Sequence, residues 1–227
     1  MNYKLRRLVP NSISSLSLVL GVLSIFMSIE KDFFHAALFI VLAMIADSLD
    51  GRAARFLGVA GGRFGIEMDS LCDLASFGVA PAIMIYQYGM TELGMTGMVI
   101  SSFFTIGGAL RLARFNCNVD DVKGYFQGMP IPAGACCLAT YVLSGYQADA
   151  WYVAALTFGV AVIMYSEVKY PDFKGKGNPM FVLPCFVAAA IGAYMLWQTP
   201  SAWPFIAMFT YTIAGVINFF YALVMGK

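Results

Sequence analysis

Charge is what this sequence has least of. Only 12% of its 227 residues are Asp, Glu, Lys or Arg, about half the ~25% of an ordinary soluble domain. The chain is 60% hydrophobic, with a mean hydropathy of +0.75. A water-soluble fold of that composition would expose much of its apolar surface, and a disordered chain would need the opposite composition. Neither sign dominates, since 14 basic against 13 acidic residues leave a net charge of +1. No global field is therefore available to recruit nucleic acid. Cysteine is scarce as well: Cys72, Cys117, Cys136, Cys137 and Cys185 are odd in number, lack C-x-x-C spacing and sit inside apolar runs. That pattern excludes a disulfide framework or a zinc site and reads as small core residues. The one histidine, His35, stands alone at the far end of an apolar run and carries no role. Long linkers, low-complexity tracts and internal repeats are missing too, so residues 1–227 read as a single domain.

What the chain does have is apolar runs. They fall near 12–29, 33–54, 64–88, 97–117, 130–147, 151–168, 179–197 and 203–225. A helix crossing a bilayer takes roughly 20 apolar residues, so the expected fold is an all-α, polytopic integral membrane bundle of about eight transmembrane helices. Polar punctuation such as Glu30-Lys31-Asp32 and Gly175-Lys176-Gly177-Asn178 separates the runs. The N-terminal Lys4, Arg6 and Arg7 lead into an apolar run with no small-residue cleavage site, which reads as a first membrane helix and not a removable signal. Trp151, Trp197 and Trp203 lie at run ends, as interfacial belts require. Every basic residue except Lys31 falls in alternate connections or at the termini. The positive-inside rule then places both termini, and that face of the bundle, in the cytoplasm at the cell's inner membrane.

Against this scarcity, Asp47, Asp50, Arg52, Arg55, Arg63, Glu67, Asp69 and Asp73 crowd into residues 47–73. Intramembrane carboxylates cost about 2.5–3.5 kcal/mol each on insertion scales, so a cluster points to function. Asp47 and Asp50 are i, i+3 and Asp69 and Asp73 are i, i+4, which puts each pair on one helix face. A short Gly-rich turn, 58–62, joins the two helices as antiparallel neighbours. Four converging carboxylates repel unless cations lie among them, and hard divalent ions such as Mg²⁺ or Mn²⁺ suit all-oxygen ligands. Gly51, Ala54 and Gly65 share these faces and let a bulky ligand approach the backbone, while Arg55 offers a planar fork to phosphate oxygens. Together these residues point to pyrophosphate chemistry at a membrane surface. Structural ion pairs with Arg52, Arg55 and Arg63 are the competing reading, although acids and bases do not balance there.

The stretch Asp47-Ser-Leu-Asp50-Gly51-Arg-Ala-Ala54-Arg55, followed by Gly65-Ile-Glu-Met-Asp69-Ser-Leu-Cys-Asp73, resembles the signature D-x-x-D-G-x-x-A-R … G-x-x-x-D-x-x-x-D of the CDP-alcohol phosphotransferase family. The spacer, residues 56–64, is one residue longer than usual and the extra residue falls in the Gly-rich turn. The segments Ser76-Phe77-Gly78-Val79-Ala80-Pro81, Gly108-Ala-Leu-Arg111-Leu-Ala-Arg114-Phe-Asn116, Gly128-Met-Pro130-Ile-Pro132 and Lys169-Tyr-Pro171-Asp-Phe-Lys174 are similar to its membrane-embedded, serine-using branch. The resemblance implies transfer of a phosphatidyl group from CDP-diacylglycerol to the hydroxyl of L-serine, with release of CMP. It also implies that Asp47, Asp50, Asp69 and Asp73 hold one or two divalent cations and that Asp73 is the general base. Gly51, Ala54, Arg55 and Gly65 would line the CDP site, and the enzyme would be a homodimer among membrane lipids, with no nucleic-acid partner.

Other residues carry two readings. Arg111 and Arg114 either contact serine or lipid phosphate, or snorkel as topology determinants. Asn11 and Ser14, beside a Pro10 turn, either touch the nucleotide or cap a helix. Glu67 either braces the site or is a solvated interfacial side chain, and Lys169, Lys174 and Lys176 read as loop residues. Glycerol 3-phosphate, inositol phosphate and an archaeal ether-lipid donor remain as alternative substrates. A cation or proton transporter is the remaining class, but it would be expected to show inverted repeats that this chain lacks.

Overall fold

The computed structural model describes residues 3–59, 62–117, 125–166, 169–171 and 182–224. Their helices follow the apolar runs closely: α1 (Tyr3–Ile29), α2 (Phe33–Phe56), α3 (Arg63–Asp73), α4 (Ala80–Gly89), α5 (Met95–Cys117), α6 (Ile131–Leu143), α7 (Ala150–Tyr165), α8 (Val182–Gln198) and α9 (Trp203–Val224). A π-helical segment, Leu74–Val79, fuses α3 to α4 into one rod, so the described residues form eight helical rods. Two three-residue strands, β1 (Tyr125–Gln127) and β2 (Lys169–Pro171), pair antiparallel outside it.

Local chemistry sets the ends. Asp32 caps α2, its carboxylate accepting from the His35 backbone N–H at 3.2 Å and lying 2.7 Å from His35 Nδ1. Those hydrogen bonds, the side-chain one first, hold the exposed Asp32 carboxyl below its ordinary range. Asp149 caps α7 by accepting from Trp151 N at 2.9 Å. Pro10 lies inside α1, whose first turns begin at Tyr3.

The packing is that of a membrane protein. Rods α1 (from Leu8), α2, α3–α4 and α5 are long and apolar enough to cross a bilayer. Helices α6, α7 and α8 are apolar but run only 13, 16 and 17 residues, which departs from the expectation of eight runs of about 20 residues, whereas α9 runs 22. At 1.5 Å per residue a 13-residue helix such as α6 rises only about 20 Å. Burial explains the tolerance, because α6 is enclosed by protein along almost its whole length. The core joins Ile40 of α2, Phe77 of the π segment, Met84 and Ile85 of α4, Phe104 of α5 and Leu138 of α6. Outward, Phe26, Ile45, Phe103, Phe158 and Trp197 are exposed. That much apolar surface suits lipid and not water.

The π segment is held from two sides. Ser76 Oγ donates to the Ser17 carbonyl of α1 at 2.9 Å, and Thr105 Oγ1 of α5 donates to the Gly78 carbonyl at 3.1 Å. A π turn loosens the regular backbone ladder, and these hydroxyls supply partners for it. Gly21 permits the crossing, since a Cβ there would lie 2.7 Å from the Ser76 Cα. Gly21→Ala is expected to destabilise the protein by roughly 1–3 kcal/mol and to lower activity, because α1 must move off the rod that carries Asp73. Gly159→Ala, where a Cβ meets nothing within 4 Å, serves as the neutral control in detergent melting curves.

Candidate functional site

Two helices bring the acids together. Asp47 and Asp50 stand on the last turns of α2, and Asp69 and Asp73 on the second half of α3. One carboxylate oxygen from each of Asp47, Asp69 and Asp73 lies within 4.8 Å of the other two. Asp50 sits beside this trio, buried, with its Oδ2 accepting a 2.5 Å hydrogen bond from Ser14 Oγ of α1. Asp73 is buried as well, and Asp47 and Asp69 are half-buried.

No base neutralises them. Among the described residues the one ion pair is Asp32–His35, at the other end of α2. The structural ion-pair reading with Arg52, Arg55 and Arg63 therefore fails. Like charges this close in a poorly screened setting repel by several kcal/mol even at an effective dielectric near 20. The donor set fits a hard divalent cation: close oxygens from two helices, with no protein cation in ion-pair contact among the described residues. Asp47, Asp69 and Asp73 are the residues positioned to hold it, with Asp50 adjoining.

A cleft opens on either side of the carboxylates. One lobe, about 290 Å³, lies between α1, the end of α2 and the start of α3. Asn11, Ser14, Gly51, Ala54, Arg55 and Gly65 line it. A Cβ on Gly51 would come no nearer than 3.5 Å to Arg55 Nη1, and one on Gly65 no nearer than 3.8 Å to Asn11 Oδ1. Packing therefore does not require glycine at either place, and the added atoms would intrude on the lobe. The second lobe, about 530 Å³, includes all four aspartates and reaches Ser70, Arg111 and Asn116. Asp50, Gly51, Arg55, Ile66 and Asp69 belong to both lobes, so the two are one cleft with Asp50 and Asp69 at the divide.

Several residues fall differently from expectation. Asn11 and Ser14 are not helix caps, because α1 starts more than one turn earlier and both face the first lobe. Nor is Pro10 a turn residue. The pair Arg111 and Arg114 divides: Arg111 lines the second lobe, whereas Arg114 turns to α7, its guanidinium 4.2 Å over the Tyr165 ring and its Nη1 donating to the Ser166 carbonyl at 3.3 Å. Glu67 is exposed and makes no hydrogen bond among the described residues, so it does not brace the site. Gly61, Lys123, Lys174 and Lys176 lie outside the described residues. Ser70 and Asn116, joined by a 2.8 Å hydrogen bond from Asn116 Nδ2 to Ser70 Oγ, were given no role from the sequence, where Asn116 only closed a segment quoted for its resemblance. Their pairing spans two helices, so no local spacing announces it.

The sequence profile of the CDP-alcohol phosphatidyltransferase family matches residues 7–166. Among curated relatives, the CDP-diacylglycerol–serine O-phosphatidyltransferase of Helicobacter pylori strain J99 is 36% identical over 225 residues, covering 96% of this chain and 93% of its own. The Bacillus subtilis protein of the same name is 33% identical over 174 residues, covering 77% of this chain and 93% of its own. The archaetidylserine synthase of Methanothermobacter thermautotrophicus is 37% identical over 172 residues, covering 74% and 72%.

Unneutralised carboxylates make a signed prediction about stability. Mn²⁺ or Mg²⁺ is expected to raise the melting temperature of the EDTA-treated protein by several degrees. Asp47→Asn should raise the melting temperature in EDTA by relieving repulsion, yet shrink the gain from added cation. A melting temperature indifferent to cation would remove the metal reading.

Proposed function

The chain belongs to the CDP-alcohol phosphatidyltransferase family, and on that premise we propose that it transfers a phosphatidyl group from CDP-diacylglycerol to the hydroxyl of L-serine and releases CMP. The observation that carries the reading is the carboxylate group standing unneutralised between two lobes of one cleft. A pyrophosphate donor brings negative charge to that divide, and a divalent cation held by Asp47, Asp50, Asp69 and Asp73, magnesium or manganese, supplies the charge that neutralises it and the departing CMP.

The remaining work falls to the chain. The first lobe takes the CDP moiety, with Gly51, Ala54 and Gly65 leaving room for it, Arg55 facing its phosphates, and Asn11 and Ser14 on the α1 wall. Ser14 also fixes Asp50 through their hydrogen bond, so nucleotide lobe and carboxylates are one mechanical unit. In the second lobe the serine hydroxyl oxygen attacks the phosphorus that bears diacylglycerol, the bond from that phosphorus to the CMP oxygen breaks, and the hydroxyl proton passes to Asp73. Buried Asp73 lines this lobe, which suits it to general-base catalysis worth roughly 10²–10⁴-fold. Arg111 faces the acceptor and Arg114 does not.

The protein is an integral membrane protein by its exposed apolar surface and long apolar helices. The basic connections support a cytoplasmic cleft and cytoplasmic termini. Acyl chains then stay in the bilayer while the headgroup reaches the site and serine arrives from solution. Homodimerisation is carried over from the family.

Purified protein given CDP-diacylglycerol, Mg²⁺ or Mn²⁺ and L-serine is expected to release CMP, and glycerol 3-phosphate or inositol phosphate should not replace serine. Asp73→Asn should lower kcat by about 10²–10⁴, and EDTA should abolish turnover. If another alcohol supports release and serine does not, the acceptor assignment falls. A CDP-activated diether lipid in the same assay separates ester from ether donors.

A further inference from the structure

The second lobe is larger than its carboxylates require, and its α5 wall carries two polar groups for which the reaction above has only half a use. Arg111 stands within electrostatic range of Asp73 but forms no ion pair with it. Its Nε is buried with no acceptor among the described residues. A buried N–H donor left unpaired at a cleft wall is a place where a ligand acceptor belongs. Asn116 lies on the same wall. Its Nδ2 is spent on Ser70 Oγ at 2.8 Å, and its amide makes no other hydrogen bond among the described residues. That leaves the amide oxygen to accept from a ligand in the lobe.

Resting on the serine reading, we propose that Asn116 is a specificity determinant for an α-amino-acid acceptor: its amide oxygen receives the ammonium group while Arg111 receives the carboxylate, which leaves the hydroxyl for Asp73. Three arguments support this division. Ser70 lies one turn before Asp73 on α3, and Ser70, Asp73, Arg111 and Asn116 all line the one lobe. A zwitterion needs one acceptor and one donor cation, and with Arg114 engaged at α7 the α5 wall supplies one of each. A neutral amide also suits an ammonium here better than a fifth carboxylate would, since another negative charge would add to repulsion among the four aspartates.

The test compares acceptors that lack one group each, measured by CMP release from CDP-diacylglycerol on one preparation of the full-length protein. L-Serine carries both groups, 3-hydroxypropionate lacks the ammonium and ethanolamine lacks the carboxylate. Asn116→Leu is expected to lower kcat/KM for serine at least tenfold, chiefly through KM, and to leave 3-hydroxypropionate unchanged. The serine to 3-hydroxypropionate ratio therefore collapses while the serine to ethanolamine ratio holds. Asn116→Asp, which keeps an acceptor oxygen, should restore much of the first ratio. Because both ratios are internal to a preparation, partial misfolding cancels, and Asn116→Ala gives the same comparison if Asn116→Leu does not fold. Equal losses for all three acceptors would mean that Asn116 only props α3 through Ser70, and would overturn the proposal. Absence of serine-dependent CMP release from the unsubstituted protein would instead sink the underlying function.

Discussion

Like charges held together in a membrane protein set the terms for everything around them. Asp47, Asp50, Asp69 and Asp73 converge from two helices with no Arg or Lys in ion-pair contact among the described residues. Left alone, that arrangement would push α2 and α3 apart. The rest of the fold resists it: α1 lies along both helices, ties down Asp50 through Ser14 and crosses the π segment closely at Gly21. On the proposed function, that repulsion also gives the site its selectivity, because a cation and, through it, a polyphosphate would relieve it. Stability and ligand preference thus have one electrostatic origin.

The cleft's division follows from the same arrangement. With Asp50 and Asp69 at the divide, the first lobe is built from α1, α2 and the start of α3, whereas the second borrows a wall from α5. The donor side is therefore made almost entirely by the segment with the family signature. The second lobe takes Arg111 and Asn116 from another helix, so on the proposed assignment acceptor chemistry can vary while the donor machinery stays in place.

Much of this was legible from residue order. Helical periodicity alone put Asp47 with Asp50 and Asp69 with Asp73, and hydropathy found the rods to within a few residues at most ends. Other parts depended on contacts between distant segments. Arg111 and Arg114 share a face by spacing, and only the Tyr165 ring and Ser166 carbonyl of α7 separate their roles. Ser14 reads as a cap candidate until α1 is seen to begin at Tyr3 and to lie against Asp50. The π segment left no mark in the pattern, because Leu74–Val79 is apolar apart from Ser76 and shows no break in the run. The expected run at 130–147 also overstated α6, which stops at Leu143, before Ser144, Gly145, Tyr146 and Gln147.

Gly51 and Gly65 border the first lobe, and a side chain begun at either would meet only ordinary contacts, 3.5 Å from Arg55 Nη1 and 3.8 Å from Asn11 Oδ1. Whatever keeps glycine there acts through the guest and not through the host. The folded chain would scarcely register a methyl group at either position, so a survey of folding energies would rank both as indifferent. The constraint exists only while the cleft is filled, which separates the selection that preserves this protein's architecture from the selection that preserves its chemistry.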